Sequence, residues 1–127
     1  MKTFFVVATV LTLALGLLWI LLPQSMLMSW DVSFDEVTIY MDRRYGGLFF
    51  GYVVILWLSR ASEPSQARTA ILAGGSVVTT LMAVLSLIGV LTGVVGPMVW
   101  SAVVIEVALA AAFVYFYVTL RNAKRPC

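Results

Sequence analysis

The sequence predicts an all-α, polytopic membrane protein: four transmembrane helices in a bundle, with both termini cytoplasmic. Three observations carry that expectation. Of the 127 residues, 62% are hydrophobic and only 11% are charged, an apolar excess that a soluble chain of this length has no interior to hide. The apolar residues fall into separate runs, each close to the ~20 helical residues that cross a hydrocarbon core of about 30 Å. No segment shows the ten-residue alternation of a membrane barrel, so backbone polar groups placed in lipid must be satisfied within helices. Residues 1–127 read as a single domain.

The first run, about 4–22, follows Lys2 and ends in LLPQSM. Its length, and the lack of an A-x-A-like site, read as an uncleaved helix rather than a secretory signal. The connection from Pro23 to Tyr40 places apolar residues at 26, 28, 30, 32 and 34, with Ser29, Asp31, Ser33 and Asp35 between several of them. This period-2 pattern suggests a short extended segment on the outer surface, and an irregular loop anchored by Trp30 fits as well. In function, such a segment serves as an outer partner surface or as a lid over the mouth of the bundle.

Ser33-Phe34-Asp35-Glu36 has the spacing of a capping box. The second helix, which spans the membrane over about 40–59, is therefore expected to begin near Phe34 and to run for about 26 residues. Pro64, within RASEPSQAR, keeps it from continuing and leaves a short turn. The third and fourth spans, about 69–91 and 98–120, are joined by LTGVVGP, where Gly93, Gly96 and Pro97 make a tight hairpin. The halves show no convincing repeat, which argues against an inverted-repeat transporter within one chain.

Positive residues orient the spans. Lys2, Arg60, Arg68, Arg121, Lys124 and Arg125 share one side if both termini are cytoplasmic. The 3–4 connection carries no charge, and the long 1–2 connection holds Asp31, Asp35, Glu36 and Asp42, so both face outward. In this frame Trp19, Trp30, Tyr40 and Trp100 fall near the outer boundary, and Trp57, Tyr115 and Tyr117 near the inner one.

The chemical vocabulary is narrow. With no His and one Cys, zinc sites, His-ligated haem, a His-based triad and an intrachain disulfide are excluded or strongly disfavoured. The net charge of +2 is scattered and forms no basic stripe for nucleic acid. Met26, Met28 and Met41 lack the Cys or His neighbours of a soft-metal site and read as packing residues. Cys127 is the last residue, without the three that a prenylation box places after it. No catalytic residue, cofactor or metal is expected.

The charges within the apolar frame are the candidate site. Arg43 lies 17 residues and Arg44 16 residues before Arg60, and Glu106 lies 15 before Arg121. At about 1.5 Å per residue all three fall within about 3 Å of one depth, in the outer third of the bilayer. Ionised residues there are costly and usually face the interior and pair. Arg43, Gly47 and Gly51 share one helical stripe, and Gly47-x-x-x-Gly51 permits close helix approach. Ala102, Glu106 and Ala110 repeat the spacing on the fourth span, and Gly75, Thr79 and Ala83 on the third. The simplest expectation is an Arg43–Glu106 pair closing the outer end, with Arg44 turned about 100° toward Asp42, lipid phosphate or a partner chain. Snorkelling arginines beside a protonated Glu106, or a working polar site for an ion, proton or ligand, remain open alternatives.

RRYGGLFFG opening the second span, the basic turn, and a last span reading VWSAVVIEVALAAAFVYFY resemble small four-helix bacterial membrane proteins near the DoxX-like group. That resemblance implies a four-helix bundle in the cell inner membrane, multi-pass, and nothing specific about chemistry. Lacking soluble domains and catalytic sets, the chain is expected to be a non-catalytic accessory or assembly subunit, meeting membrane lipid and other membrane subunits or further copies of itself. An oligomeric transporter or channel for a proton, ion or small solute, using Glu106 and Arg43, is the alternative. An enzyme acting on lipids or quinones ranks last.

Overall fold

In the computed structural model, which describes residues 1–123, the chain forms five helices: α1 (Lys2–Leu21), α2 (Pro23–Ser29), α3 (Glu36–Ser59), α4 (Gln66–Leu91) and α5 (Val99–Ala123). Lys124, Arg125 and Cys127 lie outside the described residues. Three helices, α1, α4 and α5, are long and apolar enough to cross a membrane, which makes this a membrane protein. Not four: α3 matches the others in length at 24 residues, but its N-terminal half carries Glu36, Asp42, Arg43 and Arg44. Charge, not length, sets it apart.

The outer connection is helical rather than extended. Pro23 occupies the first turn of α2, where its missing N–H costs nothing and its fixed φ suits a helix. A proline-started turn outweighs an alternation only a few residues long. α3 begins two residues later than Phe34, and its cap is Asp35 rather than Ser33. The Asp35 carboxylate accepts from the Thr38 amide at 2.8 Å and from the Thr38 hydroxyl at 2.7 Å, satisfying a first-turn donor that the helix itself leaves free.

The Thr38 hydrogen bonds hold the Asp35 carboxyl below its ordinary pKa. A depressed carboxyl stabilises the fold above its unfolded value, and that contribution fades as pH falls through the lowered one. The first turn of α3 is therefore expected to fray on acidification, read as faster amide exchange at Val37 and Thr38. Asp35→Asn should exchange with little dependence on pH over the same window, once intrinsic rates are corrected.

α1 packs antiparallel along α3, and α4 antiparallel along α5; contact between these pairs is sparse. Glycines decide how closely α1 and α3 approach. A Cβ added to Gly46 would stand 2.9 Å from Ile20 Cγ1 and Trp19 Cβ and 3.2 Å from the Gly16 carbonyl oxygen. Gly47 and Gly51, expected to let the second span approach the fourth, have nothing within 4 Å of an added Cβ. The packing stripe of α3 runs one residue earlier, about 100° around the helix. On α4, Gly75, Thr79 and Ala83 are buried, and the bare Gly75 admits the Phe113 ring and the Tyr52 hydroxyl.

The pairs join through Phe5, Ala8, Leu56, Leu72, Phe113 and Leu120, at the end that carries the N-terminus and the α3–α4 turn. Arg68 is also there, only 6% exposed. Its Nη1 donates to the Ser62 carbonyl oxygen at 2.7 Å, and its guanidinium lies 5.1 Å from the Phe5 ring centroid. At the opposite end the α4–α5 turn passes through Gly93 at φ 70°, a left-handed conformation that glycine adopts without strain.

Candidate functional site: a cavity between the helix pairs

The gap between the pairs is a cavity of about 400 Å³, within the range that encloses a small organic ligand. α1 lines it with Ala8, Thr12, Leu15 and Trp19, and α3 with Tyr45, Leu48, Phe49 and Tyr52. The other pair contributes Val78, Thr79 and Met82 from α4, and Ala102, Ile105, Glu106, Leu109 and Phe113 from α5. These are three- and four-residue spacings, so each helix presents one stripe to the same space. Leu48, Val78 and Ile105 are also exposed, so the cavity reaches the surface of the helix bundle.

Trp30 lines the end of the cavity away from the N-terminus. Its ring meets Trp19 edge to face, with centroids 5.1 Å apart, and Trp19 in turn meets Tyr45 at 6.0 Å. The Gly96 amide donates to the Trp30 carbonyl oxygen at 2.6 Å, tying the segment after α2 to the α4–α5 turn. A side chain on Gly96 would collide with the Asp31 carboxyl. Of the expected outer boundary aromatics, Trp19 is 5% exposed and belongs to the cavity wall, while Tyr40 and Trp100 do face outward.

Glu106 is the one charged side chain in this wall. Ser86 of α4 stands beside its carboxyl, yet Oε2 is buried and meets no donor among the described residues. Arg43 does not reach it. Arg43 and Arg44 are both exposed, and Arg44 lies over the Tyr40 ring, 5.8 Å from its centroid. The same one-residue offset that exchanges Gly47 for Gly46 turns Asp42 inward in place of Arg43; Asp42 Oδ2 is buried without a partner among the described residues. Tyr45 lies near both carboxylates. The expected ion pair is thus replaced by two acidic groups around a tyrosine.

The threonines of the wall and one tyrosine are engaged. The Thr12 and Thr79 hydroxyls donate to the carbonyl oxygens of Ala8 and Gly75, each at 2.7 Å, and the Tyr45 hydroxyl to Met82 Sδ at 3.2 Å. The Tyr52 hydroxyl is buried with no partner. Of the stripe expected on the last span, Ala102 and Glu106 line the cavity, whereas Ala110 is half-buried beside it. Sequence reasoning passed over Tyr45, Phe49 and Tyr52, although their i, i+4 and i+7 spacing marks one aromatic face.

No family model, curated protein or solved structure matches the chain, and the likeness to DoxX-like proteins rests on the quoted residues alone.

Proposed function

We propose that the chain is an integral membrane protein that takes a small, largely apolar molecule into the cavity between its helix pairs, as a binder or carrier acting within the bilayer. The supporting observation is Glu106: a carboxylate whose Oε2 has no partner among the described residues, set in an otherwise apolar and aromatic cavity. Burying such a group without a partner is costly, and a ligand site is the setting in which that cost has a use. This is the transporter or channel alternative with Glu106 retained and Arg43 removed from the site.

In this reading α3 crosses as well. Its 24 residues extend about 36 Å, antiparallel to α1, with Arg43 and Arg44 at headgroup level. Four crossings make a four-helix bundle with both ends of the chain on one face, and Lys2, Arg60, Arg68 and Arg121 make that face cytoplasmic. The DoxX-like resemblance points to a bacterial inner membrane.

A thermal-shift screen of membrane-permeant compounds of cavity size tests the reading, run on the purified protein and on Ala102→Trp, which fills the cavity. At least one compound should raise the Tm of the parent protein and leave the filled variant unmoved. No shift in the parent, or equal shifts in both, would overturn it.

A second reading, an accessory subunit or an oligomer, is favoured by the bare surface at Gly47 and Gly51. A small-residue stripe left open on a membrane helix suits another helix. Gly47→Ile with Gly51→Ile should then release a co-purifying subunit or lower the oligomer mass; an unchanged mass and composition counts against it.

A further inference from the structure

We infer that the ligand of this cavity is a hydrophobic organic cation, an amine or onium centre carrying apolar or aromatic substituents. The inference rests on the cavity reading above and adds the charge of the ligand. Glu106 brings a carboxylate into an apolar wall, and no cation among the described residues answers it. Arg43 and Arg44 are exposed, Arg44 over the Tyr40 ring, and Arg68 sits at the opposite end, against Ser62 and Phe5. Where this carboxyl is ionised, the compensating charge is one that the ligand brings.

The rest of the wall favours the same class. Trp19, Trp30, Tyr45, Phe49 and Tyr52 surround the space, and aromatic faces attract a cation most strongly when water is excluded. Donors are scarce, since the Thr12, Thr79 and Tyr45 hydroxyls are spent on Ala8, Gly75 and Met82. An anion or a sugar would find the Tyr52 hydroxyl and the indole N–H groups of Trp19 and Trp30, together with a repelling carboxylate. A bare divalent metal ion needs about six oxygen ligands, and the wall offers one carboxyl. The exposed rim at Leu48, Val78 and Ile105 suits a ligand already dissolved in lipid.

The test is calorimetric titration of the protein in lipid nanodiscs with three molecules of similar bulk: tetraphenylphosphonium, tetraphenylborate and neutral triphenylphosphine oxide. The phosphonium should bind saturably and the borate should not. Glu106→Gln should weaken the phosphonium by about tenfold or more and leave the phosphine oxide unchanged. Tyr45→Leu, which keeps the carboxyl and removes one π face, should weaken the phosphonium selectively too, and covers the case in which Glu106→Gln fails to fold. Equal binding of phosphonium and borate, or a phosphonium affinity indifferent to both variants, overturns the charge assignment. If that binding still disappears in Ala102→Trp, the cavity reading survives alone. If none of the three binds, the charge assignment falls, and the thermal-shift screen decides the cavity reading.

Discussion

Gly46→Leu is expected to separate α1 from α3 and to lower stability by about 3 kcal/mol, whereas Gly47→Leu should change it by no more than about 0.5 kcal/mol. The two positions are adjacent in sequence and identical in residue type, so helix propensity cannot distinguish them. What differs is the space: a side chain on Gly46 meets Trp19, Ile20 and the backbone of Gly16, and one on Gly47 meets nothing within 4 Å. The neighbours at Gly46 include backbone and Cβ atoms, which cannot swing aside as a side-chain tip can. Trp19 would have to move, and with it the edge-to-face contacts to Trp30 and Tyr45. Unfolding in a graded series of denaturing detergent measures both variants; equal losses would refute the α1–α3 register.

Phe113→Ala should cost about 3 kcal/mol and also widen the cavity. Phe113 is 1% exposed, lies edge to face with Phe4 at 4.8 Å, and fills the space that Gly75 leaves. It belongs both to the core joining the helix pairs and to the cavity wall. Removing the ring opens a path from the cavity into that core. The same unfolding series should show the loss, and bulkier ligands should gain affinity relative to smaller ones. Tyr115→Ala, at a residue 65% exposed and two positions away, should do neither.

Much of the fold was legible in the sequence. Helical class, the short turns at Pro64 and at Gly93 to Pro97, and the boundaries of α1, α4 and α5 follow from long apolar runs and from residues that stop helices. The Gly75, Thr79 and Ala83 stripe was legible too, because it alone on α4 stays small at three successive positions four residues apart, although Gly74 and Thr80 stand beside it. The segment after α1 was misread, since a few alternating residues resemble a strand until Pro23 is recognised as a helix start. α3 was misread in rotation. Gly46 and Gly47 stand side by side, as do Asp42 and Arg43, so a shift of one residue turns Asp42 inward in place of Arg43 and removes the expected ion pair. The aromatic spacing of Tyr45, Phe49 and Tyr52 favoured the correct face, but the drive to pair opposite charges favoured the other.

The sequence by itself determined that the chain enters a membrane as helices and that Glu106 lies in an apolar stretch with no charge near it in its own helix. Both follow from local composition, because lipid demands that each segment satisfy its own backbone and exposes every unmatched charge. Only the tertiary structure decided what Glu106 faces. The rotation of α3 depends on where Gly16 and Trp19 of α1 leave room, residues far away in the chain, and that rotation sends Arg43 outward and Tyr45 inward. The cavity arises in the same way, because α1 grips α3 and α4 grips α5 more closely than either pair grips the other.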